Sequence, residues 1–131
     1  MQYSKEVEEH FQNPRNVGEI KDADGIGEVG NLRCGDVMQV FIKIGKRQTA
    51  NGKQEEYISD IKFKTLGCAA AIAASSMMTE LAKGKSLDDA YKISRDDIND
   101  SLGKLPVQKY HCSILSASAI KKAIDDYRRK Y

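Results

Sequence analysis

The fold turns on residues 36–65, DVMQVFIKIGKRQTANGKQEEYISDIKFKT. From Asp36 to Ile44 the pattern is that of a strand. Met38, Val40, Ile42 and Ile44 alternate with less apolar neighbours, although Val37 and Phe41 blur the alternation. Gly45 to Lys53 contains Asn51-Gly52, a pair suited to the positive-φ positions of a tight hairpin turn. Glu55 to Thr65 then reads as a second strand. Tyr57, Ile61 and Phe63 should share one face, with Asp60, Lys62 and Lys64 on the other. Two strands joined by a short loop should pair antiparallel.

Working outward, the character changes after Gly67. The run CAAAIAASSMMTELAKG is strongly helix-forming, with its start near Cys68 and Gly84 as a natural C′ residue. Ser86 and Ser94 each precede an acid three residues on, Asp89 and Asp97, which is how a capped helix begins. Gly103 and Pro106 break the chain. A last helix should begin near His111 to Ser113, with Ala117, Ile120, Ile124 and Tyr127 as its buried stripe. On the N-terminal side, Ser4 can cap a helix through KEVEEHFQ, with Val7 and Phe11 on one face and His10 at the surface. That helix must stop near Asn13, because Pro14 disfavours helical backbone before it. The Gly-, Asn- and Asp-rich segment that follows reads as turns with at most one short strand. The expected fold class is α+β: a small antiparallel sheet with helices packed on one face, in one domain spanning residues 1–131.

Composition narrows the function. The chain has 131 residues and a net charge of +2, too small to argue for nucleic acid. No apolar run is long enough for a membrane span, and the Glu-rich N-terminus lacks the marks of a leader, so a cytoplasmic location is expected. The basic end, Tyr127 to Tyr131, reads as a solvated helix terminus. Three cysteines cannot all pair, which argues against a disulfide framework. Buried inert thiols, reactive thiols and metal ligands remain open.

The settings of the cysteines favour a common site. Cys34 precedes a strand, Cys68 follows one, and Cys112 opens the last helix. All three stand at element ends, where side chains converge on an edge. Two stand at helix N-termini, where free N–H groups favour a thiolate. Asp36 adds an oxygen near Cys34 and His111 a nitrogen beside Cys112. Three sulfurs with one oxygen or nitrogen donor suit zinc or an iron–sulfur cluster. A non-cysteine fourth ligand should make such a cluster labile. The plainer readings are a small buried hydrophobe for each thiol, a turn-bonding Asp36, a loop-lining His111, a surface Lys109, and ordinary helix packing for Met77 and Met78.

The chain resembles the IscU/NifU-type iron–sulfur cluster assembly scaffolds across nearly its whole length. The resemblance rests on Asn13-Pro-Arg-Asn-Val-Gly18, Cys34-Gly-Asp-Val-Met38, Lys64-Thr-Leu-Gly-Cys68 with the alanine and serine run after it, and Lys109-Tyr-His-Cys-Ser113. It implies a scaffold, not an enzyme with turnover chemistry. A [2Fe–2S] cluster would be built at a tip and passed to acceptor apo-proteins. Cys34, Cys68 and Cys112 would be the thiolate ligands, with Asp36 or His111 as the fourth. The resemblance further implies that Cys112 receives persulfide sulfur from a cysteine desulfurase, that Asp36 governs release, and that zinc can take the same ligands. Free sulfide is the other sulfur source, and Lys109 is the expected charge partner. No nucleic acid or membrane partner is implied; a monomer or small homo-oligomer is.

Two departures stand out. The family commonly has Gly-Cys-Gly-Ser where this chain has Gly67-Cys-Ala-Ala70, and alanine starts a helix more rigidly than glycine. The segment recognised by a dedicated Hsp70-type chaperone usually reads Leu-Pro-Pro-Val-Lys; here it is Leu105-Pro-Val-Gln-Lys109. The lost proline removes stiffness from an extended segment, so dependence on that chaperone is not expected. Two rivals share these residues. One is a zinc-binding interaction module. The other is a thiol hydrolase pairing Cys112 with His111, disfavoured because adjacent helical residues point about 100° apart.

Overall fold

The computed structural model describes residues 3–31, 36–106 and 109–130, and only the backbone of Asn31 and Asp36. In chain order these residues form α1 (Lys5–Gln12), β1 (Gly25–Asn31), β2 (Asp36–Gln48) and β3 (Gln54–Leu66). Then come α2 (Ala69–Ala82), α3 (Leu87–Tyr91), α4 (Arg95–Ser101) and α5 (Tyr110–Lys130). The three strands make one antiparallel sheet in the order β1-β2-β3. Helices α2 and α5 pack on it, as the patterning predicts, and α1 packs on α2.

The hairpin is longer than the alternation implied, since the strands run on to Gln48 and restart at Gln54. It also contains a bulge. Partners pass from Lys43↔Asp60 to Ile44↔Ile58, so Ser59 is the extra residue, and its hydroxyl donates to the Lys43 carbonyl at 3.1 Å. An extra residue inverts the in-and-out order of everything beyond it. Ile58 therefore joins Ile61 and Phe63 in the core. Tyr57, expected to face the same way as Ile61, instead lies under Arg47, whose guanidinium stands 4.5 Å from the ring centre.

Phe41 blurred the alternation because it is buried on the opposite face from Val40 and Ile42. Residues 18–24 cross that face. Lys43 donates to the carbonyl and carboxylate of Asp22 at 2.9 and 3.1 Å, Asp24 accepts from the Ile44 amide at 2.7 Å, and Lys64 pairs with Glu19. Before this crossing, Val17 forms a parallel bridge beside Phe63, with Gly18 N–H donating to the Phe63 carbonyl at 2.8 Å.

The caps follow the predicted residues. Ser4 accepts from the Val7 amide at 3.1 Å, Ser86 from Asp89 at 3.1 Å, and Ser94 completes a reciprocal capping box with Asp97. Gly84 follows the α2 cap with φ +85°, a conformation glycine adopts without strain. Two expectations for α1 fail. Phe11 is 45% exposed, and His10 is buried at 7%. The buried face runs through Val7 and His10 because Ser76 of α2 offers the imidazole a partner at 2.7 Å. Polar groups are buried where a hydrogen bond awaits them.

Helix α5 lies almost on the backbone of β1. A Cβ added to Gly25 would fall on the carbonyl oxygen of Ala123, and one added to Gly27 on that of Ala119. These glycines, with Ala119 and Ala123 facing them, allow the close approach. The Asp126 carboxylate accepts from the Ile26 amide at 2.9 Å, which covers part of the open sheet edge.

Candidate functional site

Cys68 is the N-cap residue of α2, in extended conformation (φ −83°, ψ 178°) directly after β3. Cys112 lies in the first turn of α5 and is fully buried, whereas Cys68 is half-buried. The fold brings the two together, since a hydrogen bond with Cys112 is among the influences on the Cys68 thiol. Burial alone would push that thiol up. The amides of Ala71 and Ala70, the ammonium of Lys109 and the Cys112 thiol outweigh it, and the net result lies below the ordinary value. The first two are N–H groups in the first turn of α2, where the helix end favours negative charge, although the Ala71 amide also reaches the Cys68 carbonyl at 3.0 Å. Lys109 responds in kind: attraction to Cys68, then hydrogen bonding to it, raises its ammonium above the ordinary value.

The surroundings hold these groups in place. Ser113, next to Cys112 and fully buried, donates to the side-chain oxygen of Asn99 in α4 at 2.6 Å. The Asn99 carbonyl accepts from the Lys104 amide at 2.7 Å, where the chain turns with φ +72° toward Leu105. His111 is exposed, and its Nε2 lies 3.6 Å from the Cys112 sulfur. The two adjacent side chains thus approach more closely than helical spacing alone implied.

Of the residues singled out by sequence, the structure places Cys68, Lys109, His111 and Cys112 at one end of the molecule. Cys34 lies outside the described residues, as does the side chain of Asp36. The backbone of Asp36 opens β2, and its neighbour Val37 pairs with Leu66, so β2 begins at the end of the sheet that leads into Cys68. Among the described residues, no three His, Cys, Asp or Glu side chains close on a point that could hold a metal ion. Met78 is packed in the core and Met77 against it, as read from sequence. Sequence reasoning missed the apolar rim. Leu66 is 68% and Ile114 41% exposed, each two residues from a cysteine; for Leu66 the signal was an apolar residue at a position the strand alternation assigns to solvent. No helix among the described residues is long and apolar enough to cross a membrane.

Residues 2–131 match the family model of the NifU-like N-terminal domain. The chain is 56% identical over 128 residues to the iron–sulfur cluster assembly scaffold protein IscU 1 of Archaeoglobus fulgidus, covering 98% of this chain and 78% of that protein. It is 49% identical over 133 residues to IscU of Escherichia coli K12, covering 99% of this chain and 97% of that one. A crystal structure of a NifU-like N-terminal protein from Brucella abortus superposes with a TM-score of 0.73 at 19% identity, over 98% of this chain and 95% of the other. The last likeness is one of fold alone. With the family model spanning all but the first residue, the chain belongs to the NifU-like N-terminal domain family.

Proposed function

We propose that this chain, as one domain, is a scaffold on which a [2Fe–2S] cluster is assembled and from which it passes to acceptor apo-proteins. The observation that carries the reading is the meeting of Cys68 and Cys112 beside Lys109, at helix N-termini that favour thiolate. The names of relatives at 49% and 56% identity point the same way. The cluster is the cargo. Cys34, Cys68 and Cys112 would supply its thiolates, and Asp36 or His111 the fourth ligand. Thiolate ligands leave a cluster with excess negative charge, which Lys109 and the amides of Ala70 and Ala71 would offset. Asp36, a hard anionic donor, suits first contact with iron.

Sulfur would arrive as persulfide from a cysteine desulfurase, or as free sulfide. In the persulfide route the Cys112 thiolate takes the sulfane sulfur and the donor cysteine departs as thiolate. Cys112 is fully buried, so this route requires its thiol to become exposed. No turnover chemistry is assigned to the protein.

Anaerobic reconstitution of the full chain with iron and sulfide, followed by optical and Mössbauer spectra and metal analysis, tests the reading. A bound [2Fe–2S] cluster is expected, and Cys→Ala at position 34, 68 or 112 should each abolish it. A colourless protein that resists reconstitution but retains zinc would instead support a zinc-binding interaction module built on the same ligands.

A further inference from the structure

Behind the two cysteines lies one sulfur that both of their helices touch. Met38 of β2 is 1% exposed. Ser75 of α2 brings its Oγ to 3.2 Å from Met38 Sδ, and Ser116 of α5 brings its Oγ to 3.5 Å. Both serines are fully buried. Each hydroxyl also faces the carbonyl one turn back: Ser75 that of Ala71 at 2.8 Å, and Ser116 that of Cys112 at 3.0 Å. A hydroxyl has one proton, so the carbonyl is its main acceptor and the thioether a weaker second one.

Two short paths therefore run from this sulfur to the cysteines. Through α5, Ser116 bridges Met38 to the carbonyl of Cys112 itself. Through α2, Ser75 bridges Met38 to Ala71, whose amide favours the Cys68 thiolate. Met38 stands two residues after Asp36 on β2, so β2, α2 and α5, which carry Asp36, Cys68, His111 and Cys112, meet at its side chain. A hydrocarbon would fill the same volume. A thioether adds a polarizable acceptor that two buried hydroxyls can both face.

We infer that Met38, seated between Ser75 and Ser116, is a positioning residue that sets the first turns of α2 and α5 against each other and so fixes the spacing of Cys68 and Cys112. The inference rests on the reading of these cysteines as ligands. The plainer alternative is a flexible residue filling a gap in the core.

The test uses the full chain with Met38→Leu, the pair Ser75→Ala with Ser116→Ala, and the triple variant. Cobalt(II) is titrated into the metal-free proteins and read by its d–d and thiolate charge-transfer bands, with urea unfolding measured alongside. Leucine and methionine exchange with little cost in cores, so the unfolding midpoint of Met38→Leu should stay close to wild type. Its cobalt bands should shift and its cobalt affinity fall about tenfold, as when groups supporting metal ligands are removed. The triple variant should be no worse than Met38→Leu, because groups acting as one unit are non-additive. Wild-type bands and affinity in Met38→Leu would overturn the inference, as would additive losses or losses that only track a lowered midpoint. If Met38→Leu does not fold, the serine pair decides by the same bands. If the wild-type chain binds neither cobalt nor cluster, it is the ligand reading that has failed.

Discussion

The Nδ1 atom of His10 lies 2.7 Å from the hydroxyl oxygen of Ser76, and this buried contact ties α1 to the helix that begins at Cys68. The same hydroxyl oxygen accepts the Arg15 amide at 2.9 Å, and Arg15 in turn pairs with Glu9. Burial first, then the Arg15 charge, hold the imidazole below its ordinary value, while Glu9 and Glu80 partly offset them. A depressed value means that the folded protein prefers neutral His10. Its contribution to stability is complete above the unfolded-state value, about 6.5, and fades as pH falls through the lower folded value. Unfolding midpoints measured between about pH 7 and pH 5 should drop more for wild type than for His10→Gln. Parallel curves would place the pH sensitivity elsewhere.

Lys109 and Cys68 stabilise each other's charge. Lys109→Ala should raise the Cys68 thiol and slow its alkylation by iodoacetamide at neutral pH several-fold, since thiolate is the reacting form. Lys109→Arg should keep most of the reactivity. Mass spectrometry of the alkylated peptides against pH measures this, and an unshifted profile in Lys109→Ala would remove the lysine from the site.

Gly27 has no room for a side chain beneath α5. Gly27→Ala should cost about 1–3 kcal/mol, the range for overpacking a close contact, read from urea unfolding. Because α5 carries Cys112, cluster retention should fall with it. A neutral alanine would mean that helix and strand can part there at no cost.

Asp36→Ala should leave cluster assembly possible but slow its release to an apo-ferredoxin, if the substitution removes the proposed hard and easily exchanged ligand. Transfer followed by circular dichroism gives the rate. Faster transfer than wild type would assign the release role to another residue.

The segment Leu105-Pro-Val-Gln-Lys109, of which residues 107 and 108 lie outside those described, differs from the Leu-Pro-Pro-Val-Lys form that the family resemblance implies for a chaperone site. Calorimetric titration of a peptide spanning residues 105–109 into an Hsp70-type chaperone should show no specific binding. Tight binding would restore that partner.

Much of the fold was legible because its signals are local. Ser4, Ser86 and Ser94 cap helices through their own amides three residues on, and Gly84 ends one through its own φ. The alternation of Met38, Val40 and Ile42 marks a strand whatever covers it. Helix-end chemistry likewise marked Cys68 and Cys112 before any contact between them was known.

Other features depend on distant parts of the chain, and no local pattern encodes them. His10 reads as a polar residue among glutamates, and only the approach of Ser76 makes its burial favourable. Tyr57 and Ile58 exchange faces because Ser59 bulges where β2 meets β3. Residue types and helix ends thus determined which side chains can do thiolate chemistry. The packing of α2 and α5 on each other and on the sheet decided that Cys68, Cys112 and Lys109 meet, because charge and sulfur act over a few ångströms of space and not along the chain.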